Sequence, residues 1–335
     1  MYLYPITGRR NETVTNPYVY RLADVLSKDF EILNLETPST TGIIDLLKYL
    51  RRVKIIYLNW IEDLPEKHMG VIQTIFFIPL AILLKIFGKR LVWTLHNKRS
   101  HSKKYPHLKQ LLFNFMRRQS DLVVTHASEG LDCIPNNKRK AYFPHPVYNS
   151  TLKTGTKKQY DLIIWGSITR YKGVDSFIQF MEKEDRLNQM DILIAGKISH
   201  SDIENYLIKM SKEYTRLTVI NRFIENEELD AFIARSKIIL FTYHAKSILS
   251  SGALMDSLNY KSWIIGPKVG GFLDLQKEGI IQTYDTFEDL PALIDMLLRK
   301  ELENDSSLEK RISFMEKHSW DAYGAWLNNE IKALI

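Results

Sequence analysis

The sequence lacks the features that would indicate a secreted or disulfide-stabilised protein. It contains one cysteine, Cys133, among 335 residues, so no disulfide can form within the chain and a reducing compartment is indicated. The first residues include no long apolar segment followed by a cleavage signature, so we predict no signal peptide. These absences favour a cytoplasmic protein.

The sequence also has no uninterrupted apolar run of the roughly 20 residues that a membrane-spanning helix requires. Its longest apolar stretch, GVIQTIFFIPLAILLKIFGKR at 70–90, is interrupted by polar residues and by Pro79. We predict a helix buried against a sheet. A helix lying in a bilayer surface is the second interpretation, because Lys85, Lys89 and Arg90 end the stretch, and a transmembrane helix is the third.

The charge is distributed unevenly along a chain of otherwise ordinary composition. Residues 1–150 carry 22 Lys and Arg against 12 Asp and Glu, whereas residues 151–335 carry 24 against 27. A basic first half would attract nucleic acid, an anionic membrane or a phosphorylated ligand, or it simply forms a solubilising surface. Nucleic acid is disfavoured, since the basic residues are dispersed and no aromatic-rich RNA-recognition motif occurs.

Apolar strand-like runs alternate with helical patterns throughout the chain. The predicted strands lie at 30–36, 53–60, 90–97, 121–126, 160–167, 190–197, 217–223, 237–244 and 262–267. Short apolar strands separated by helices indicate parallel sheets with right-handed crossovers. The chain is long enough for two domains of about 150 residues each.

A linker without apolar periodicity, FPHPVYNSTLKTGTKKQ at 143–159, divides the chain. We therefore predict an α/β protein with two doubly wound, Rossmann-like domains facing a cleft. The domains are 1–150 and 151–317, and a final segment at 318–335 packs back toward the first. Ligands of such sheets bind at the carboxyl ends of strands, so candidate site residues are those that directly follow a strand.

Two cations lie in the turn that follows the strand at 160–167. Gly166 ends the strand, Arg170 follows in the turn, and Lys172–Gly173 opens a helix. The amides of a helix N-terminus together with two cations suit a diphosphate. The alternative is a pair of solvated surface cations.

A second phosphate-compatible stretch follows the strand at 237–244. Ser250, Ser251 and Gly252 begin a helix with small residues, and Asp256 lies one turn further on, where a carboxylate suits ribose hydroxyls. The alternative is a helix cap followed by a surface acid.

Together the two stretches resemble the nucleotide-sugar half of GT-B glycosyltransferases, in particular the family-4-like group. In that family a strand is followed by Gly-Arg-x-x-x-x-Lys-Gly, whose cations neutralise the donor diphosphate. Gly166 and Lys172–Gly173 match this spacing, whereas Ser167 occupies the arginine position. The resemblance implies the lysine role for Lys172, and we infer that Arg170 supplies the second charge.

The family's Glu-x7-Glu motif is matched only in part. Asp256 takes the place of the second glutamate and Ile248 that of the first, so we infer compensation by His244, Lys246 or Ser247. The resemblance also implies that the nucleotide base stacks at the loop formed by Arg222, Phe223 and Ile224.

The first half resembles the same enzymes, more closely those of bacterial surface-polysaccharide synthesis. NPYVYRLADVL, YLNWIEDLP and LVWTLHNKRSH carry this likeness. It implies that His96, at a strand end, reaches the donor sugar. The residues expected on the acceptor side are Asn59, Trp60, Glu62 and Asn97.

The resemblance implies a glycosyltransferase that moves a sugar from a nucleotide sugar, UDP-linked first and GDP-linked second, to a saccharide or lipid-linked saccharide. No Asp-x-Asp motif occurs, so we expect no metal and no other cofactor. Retention of configuration is favoured, and the leaving phosphate then takes the acceptor proton. Inversion would need a base, for which Glu62 and His96 are the candidates.

The basic first half favours peripheral contact with an anionic membrane at its inner face. Two other functions stay open at this point. One is a nucleotide-sugar 2-epimerase of the same fold, and the other is a non-catalytic nucleotide-sugar-binding protein.

Overall fold

The structure is a computed structural model. It describes residues 1–6, 17–37, 39, 41–100, 102–148, 152–153, 157–244, 247–300 and 305–335. The chain divides into two compact units. The first comprises Met1–Pro146, Ser247–Ser250 and His318–Ile335, and the second comprises Val147–Lys246 and Ser251–Lys317.

The first unit contains a five-stranded sheet in which all strand pairs are parallel and strand order follows chain order. Its strands are β1 (Tyr2–Tyr4), β2 (Ile55–Asn59), β3 (Arg90–Leu95), β4 (Leu122–Thr125) and β5 (Lys140–Tyr142). Its α-helices are α1 (Pro17–Leu26), α2 (Gly70–Ile86), α3 (Pro106–Gln119) and, from the end of the chain, α12 (Trp320–Lys332). Short 3-10 helices lie at Gly42–Tyr49, Ile61–Glu66 and Ser128–Cys133.

The prediction of a strand at 30–36 is wrong. The edge of this sheet is formed by β1 instead. Residues 31–36 have no strand structure. The buried side chain of Asn34 accepts a hydrogen bond from Leu3 N (3.0 Å) and donates one to Leu3 O (2.7 Å). A side-chain amide thus satisfies the outer backbone groups of β1, which a further strand would otherwise have paired.

Two segments from the second half of the chain complete the first unit. Leu249 is fully buried in this unit's hydrophobic core, and Ile248 forms an antiparallel bridge with Asn97. Helix α12 packs against α1, where a Cβ on Gly324 would lie 2.5 Å from Val25 Cβ. The first unit is therefore built from three separate stretches of sequence.

The second unit contains a six-stranded, all-parallel sheet with the order β11-β10-β9-β6-β7-β8. Its strands are β6 (Tyr160–Trp165), β7 (Ile192–Ala195), β8 (Leu217–Ile220), β9 (Ser236–Leu240), β10 (Trp263–Pro267) and β11 (Gln282–Tyr284). Its α-helices are α4 (Val174–Met181), α5 (Asp185–Asn188), α6 (Ser201–Glu213), α7 (Asn226–Ala234), α8 (Gly252–Ser257), α9 (Gly270–Lys277), α10 (Leu290–Leu298) and α11 (Ser306–Lys317). Short 3-10 helices lie at Arg170–Lys172 and Phe287–Asp289.

The strand order of the second sheet reverses between β6 and β9. From β6 the chain winds outward through β7 and β8 and then returns to β9 on the other side of β6. Such a reversal leaves a crevice at the carboxyl ends of the two strands, where ligands of doubly wound sheets bind. The fold therefore places the segments after β6 and after β9 next to each other.

The apolar stretch at 70–90 contains the predicted helix, α2, which packs on the sheet through Phe77, Ala81 and Leu84. The predicted burial holds for this face only, because Ile75 and Ile86 on the opposite face are exposed. None of the helices in the described ranges is both long and apolar enough to cross a membrane.

The packing of Leu249 gives a direct test of the three-stretch construction of the first unit. We expect Leu249→Ala to lower the free energy of unfolding by about 2–5 kcal/mol, the usual effect of a cavity in a core. The matched control is Leu111→Ala on α3, where the leucine is 49% exposed and the loss should stay within about 0.5 kcal/mol. Denaturant unfolding measures both, and equal losses would contradict the packing of Leu249.

Candidate functional site

The turn after β6 places glycine residues at the crevice in the second sheet. Gly166 has φ +89° and Gly173 has φ +64°, both in the left-handed region that favours glycine. A Cβ on Gly173 would lie 2.5 Å from Thr242 O, and one on Gly196 would lie 2.1 Å from Gly166 O. Gly196 follows β7, so three glycines allow the segments after β6, β7 and β9 to approach closely.

Hydrogen bonds hold this turn against the end of β9. Thr242 Oγ1 donates to Lys172 O (2.6 Å), and His244 N donates to Tyr171 O (3.1 Å). The turn and the segment after β9, which are 70 residues apart in sequence, are thus fixed to each other by one side-chain and one backbone hydrogen bond.

Lys172 is a buried cation, and none of the described residues supplies a counter-charge. Its side chain is only 7% exposed, and its Nζ lies 5.7 Å from the centre of the Tyr243 ring and beside Gly166. No carboxylate forms an ion pair with it in the part of the chain that the structure describes. Burial alone lowers the pKa of Lys172 to about 8. A buried ammonium in this environment has the electrostatic properties that favour an anionic ligand.

Arg170, the second predicted cation, has a different environment. Its guanidinium is largely exposed and forms an ion pair with Asp202 at 2.8 Å. An exposed pair of this kind is worth little and exchanges partners readily. The turn therefore presents one buried cation and one cation at the surface.

The start of α8 lies next to the same place. Ser251 caps this helix by accepting a hydrogen bond from Leu254 N (3.3 Å), and its Oγ is 3.2 Å from Tyr243 Oη. A Cβ on Gly252 would meet no atom within 4 Å, so the backbone there faces open space. Tyr243 thus connects Ser251 to Lys172.

The two other predicted residues of this region are Asp256, which is half-buried, and Ser167, which is exposed. Asp256 lies half-buried on α8. Trp165 Nε1, at the end of β6, donates to Ser257 Oγ (3.2 Å), which fixes α8 against that strand. Ser167 directly follows Gly166, in the turn described above.

The loop predicted to stack the nucleotide base carries an exposed ring. Phe223 is 69% exposed, Arg222 forms a two-bond ion pair with Glu228, and Ile224 is buried. An exposed phenyl ring held between an anchored arginine and a buried isoleucine is available for stacking. The role of this loop stays a prediction.

Ile248, which stands where the family has its first glutamate, and Ser250 belong to the first unit. Ile248 is 2% exposed, and Ser247 O accepts a hydrogen bond from Lys98 N (2.8 Å). Lys246 lies outside the described residues. The compensation predicted for His244, Lys246 or Ser247 stays a prediction.

In the first unit the predicted residues after β2 and β3 meet. The Trp60 and His96 rings stack with centroids 3.9 Å apart. Asn59 Nδ2 donates to Tyr4 O (3.1 Å), so Asn59 Oδ1 accepts from His96 Nε2 (3.1 Å), and this arrangement assigns the proton to Nε2. Burial and two neighbouring histidines hold the pKa of His96 well below its usual value. His96 is therefore a neutral imidazole.

The sequence analysis missed the other two histidines of this cluster. His126, after β4, donates from Nδ1 to Phe143 O (2.9 Å) and accepts from Tyr18 Oη (2.7 Å). The His126 ring lies 6.0 Å from His96 and 5.3 Å from His145. Burial lowers the pKa of His126 to about 3 and that of His145 to about 4. His126 ends a predicted strand, as His96 does, and this was the signal that could have identified it.

Glu62, the predicted acceptor-side carboxylate, is buried beneath the surface of the first unit. It is 3% exposed, and burial together with the charge of Asp63 raises its pKa to about 8. A carboxyl group that holds its proton near neutral pH has the protonation behaviour of a general acid or base. Asn97 is half-buried and pairs with Ile248.

No group of three or more His, Cys, Asp or Glu side chains in the described ranges is arranged to hold a metal ion. The second unit thus carries a buried cation at Lys172, and the first unit separately carries a cluster of buried histidines.

No model of a known protein family matches the sequence, and no curated protein matches it significantly. Solved structures do match. HepE of Anabaena in complex with UDP-glucose has a TM-score of 0.69 at 10% identity, over 99% of this chain and 98% of that chain. Sucrose-phosphate synthase from Thermosynechococcus elongatus has a TM-score of 0.68 at 12% identity, over 99% and 98% of the two chains.

The chain has the GT-B glycosyltransferase fold. The trehalose-6-phosphate synthase OtsA shares it, with a TM-score of 0.61 at 13% identity over 84% of this chain and 72% of that chain. The predicted fold class of two Rossmann-like parallel sheets is confirmed. At these identities the likeness establishes the fold.

The buried charge of Lys172 predicts an unusual stability profile. Folding lowers its pKa from 10.5 to about 8, so below pH 8 both states are protonated and the burial cost is present in full. Between pH 8 and 10.5 the unfolded state holds the proton and the folded state does not, so wild-type stability rises with pH. We expect Lys172→Met to stabilise the protein at pH 7 by up to about 3 kcal/mol, and this gain to disappear toward pH 10.

Denaturant unfolding of both proteins from pH 7 to pH 10 measures this difference. Lys237→Met removes an exposed lysine at the opposite end of β9 and should change stability little at any pH. A Lys172→Met protein less stable than wild type at pH 7 would show that the ammonium has a compensating partner.

Proposed function

We propose that this protein is a glycosyltransferase that takes its sugar from a nucleotide-sugar donor bound at the second sheet. The observation that carries the proposal is the buried, uncompensated ammonium of Lys172 at the reversal of strand order. A buried ammonium has lost the stabilising interaction with water, and a bound anion can replace that interaction. The diphosphate of a nucleotide is such an anion.

The backbone around Lys172 supports a ligand of this size and charge. Gly252 exposes a peptide group that no side chain covers, and Ser251 adds a hydroxyl group. Gly166 allows Lys172 Nζ to lie close to the backbone of the turn. Phosphate oxygens accept hydrogen bonds from such amides and hydroxyls. Asp256 would accept hydrogen bonds from the ribose hydroxyls, and Phe223 would stack on the base.

Catalysis by such a site consists mainly of stabilising the leaving group. As the bond from the anomeric carbon to the diphosphate oxygen breaks, negative charge develops on the diphosphate and positive charge on the sugar. Lys172 and the amides of Ser251 and Gly252 would hold the departing diphosphate. Arg170 would leave Asp202 to add a second charge, since exposed ion pairs exchange at little cost.

Retention of configuration is the favoured stereochemistry. The leaving phosphate oxygen then accepts the proton of the acceptor hydroxyl, and no protein base is required. If the reaction inverts, a first-unit group takes that proton. The two candidates are Glu62, whose pKa is raised to about 8, and His96, whose pKa is held well below its usual value.

UDP is the favoured nucleotide and GDP the second. HepE, whose fold this chain shares, was determined with UDP and with UDP-glucose. The acceptor would be a saccharide or a lipid-linked saccharide of surface-polysaccharide synthesis, and the protein would work at the cytoplasmic face of an anionic membrane. The basic first half of the chain supports that location.

A donor-binding assay tests the proposal directly. We expect UDP, and its sugars, to raise the melting temperature of the wild-type protein by several degrees, because binding at a hundred times the dissociation constant stabilises by roughly 2.7 kcal/mol. GDP and ADP serve as the comparison nucleotides. Lys172→Met should abolish the shift although the variant itself is the more stable protein.

The matched control is Lys237→Met, which removes one positive charge from the same sheet at the opposite strand end and should retain the shift. No shift with any nucleotide, or an unchanged shift in Lys172→Met, would overturn the donor site. Slow hydrolysis of a bound UDP-sugar distinguishes a transferase from a non-catalytic binder, and release of an isomerised UDP-sugar without acceptor would identify an epimerase.

Metal independence is a separate prediction of the same proposal, since positive side chains and amides take the place of a divalent ion. We expect UDP-sugar binding and hydrolysis to persist unchanged in EDTA. Loss of UDP-sugar binding and hydrolysis in EDTA, with recovery of both in magnesium, would show that the diphosphate is held through a metal.

A further inference from the structure

Helix α2 is apolar on every side, although only one side packs on the sheet of the first unit. Over Gly70–Ile86 its one charged residue is Lys85, near the carboxyl end. A helix of this composition is normally covered all round by protein or by lipid. Here the outer face is open to solvent.

The outward-facing residues of α2 form a continuous stripe, which we call the aliphatic ridge. Its members recur every three or four residues, so they share one face of the helix. They are Met69, Ile72, Ile75, Pro79, Ile82, Leu83, Ile86 and Phe87. Exposure reaches 65% at Ile75 and 74% at Ile86, and large exposed side chains elsewhere occur mostly singly.

The ridge cannot be turned inward, because the opposite face of α2 is fixed. Gln73 accepts a hydrogen bond from Ile43 N (2.9 Å) and donates to His68 O (2.6 Å). Lys85 Nζ binds Asp121 (2.9 Å) at the other end of the helix. A Cβ on Gly70 would lie 2.2 Å from Leu64 O, so the start of α2 is also in close contact with the 3-10 helix Ile61–Glu66. The exposure of the ridge is therefore a property of the folded unit.

Most of the charges near the ridge are positive, although one acid, Asp121, pairs with Lys85 at 2.9 Å and with Arg90 at 3.8 Å. From Lys67 to Ser120 the sequence contains eleven Lys and Arg and no Asp or Glu. Lys67 precedes the ridge, and Lys89 and Arg90 follow it, so cations stand at both ends. The neighbouring helix α3 adds the exposed residues Leu111 and Arg118.

We propose that the aliphatic ridge is a membrane-docking surface that lies in the interface of an anionic lipid bilayer. The ridge would enter the acyl boundary along the helix axis, and the flanking cations would contact the lipid head groups. A helix of 17 residues with an apolar outer face and cationic ends has the form of an interfacial helix, with the sheet covering its inner face.

Charge favours a bilayer over a second copy of the chain as the occupant. Pairing two ridges through a twofold axis would bring two predominantly cationic surfaces together, and like charges at an interface are unfavourable. An anionic bilayer supplies both the apolar phase and the opposite charge. The proposal does not involve Lys172, so it and the donor site succeed or fail separately.

The test is co-sedimentation of the purified protein with phosphatidylcholine vesicles, with and without phosphatidylglycerol. We expect binding to the vesicles that contain phosphatidylglycerol, weakened at high salt. The double variant Ile75→Gln/Ile86→Gln should bind about 10-fold or more weakly, because two isoleucines no longer enter the apolar phase. Lys67→Gln/Lys89→Gln should lose roughly 25-fold on the anionic vesicles alone.

Met296→Gln is the matched control, since Met296 is a 39% exposed apolar residue on α10 of the other unit and should leave vesicle binding unchanged. Melting temperature and the UDP shift, measured on every variant, should equal those of wild type, which shows that the changed residues are superficial and separate from the donor site.

Wild-type protein that does not bind anionic vesicles at low salt would overturn the proposal, as would Ile75→Gln/Ile86→Gln protein that binds normally. Sedimentation equilibrium without lipid decides the alternative occupant. A wild-type dimer that becomes monomeric in the ridge variant would assign the surface to a second copy instead.

Discussion

All strand pairs in both sheets are parallel, and this single constraint determines where chemistry can occur. Parallel strands end on the same edge, so the segments that follow them meet there, however far apart they are in sequence. In the second unit this edge brings together Lys172 and Tyr243. In the first unit it brings together Trp60, His96 and His126. Lys237, on the opposite edge of the second sheet, has the same side chain as Lys172 but is exposed to solvent.

In the proposed donor site, the environment of Lys172 would trade stability for binding. The described residues around the ammonium desolvate it and provide one aromatic face but no carboxylate, so burying the charge lowers the stability of the folded state. An arriving phosphate would then meet a cation that has already lost its water and has no carboxylate partner among the described residues. Arg170 represents the opposite arrangement, a solvated cation already paired with Asp202 that gives little affinity until it is released.

The sequence predicted the parts of the structure that depend on local pattern. Buried strands, the glycines at 166 and 173 and the position of Lys172 all follow from periodicity and spacing. The edge strand Tyr2–Tyr4 was missed because a three-residue strand has no periodicity, and its partner at Asn34 is a side chain. The meeting of His126 and His145 with His96, and the exposure of one face of an apolar helix, depend on tertiary packing that no single segment encodes.

The composite construction of the first unit has a consequence for biosynthesis. Val147–Lys317 contains every strand of the second sheet, so that unit is essentially complete once those residues have left the ribosome. The first unit starts earlier but still lacks Leu249 and α12, whose Asn328 Nδ2 donates to Val25 O (3.1 Å). The core of the first unit therefore stays incomplete until residues 318–335 have been translated, so this unit is completed after the second unit although its synthesis begins earlier.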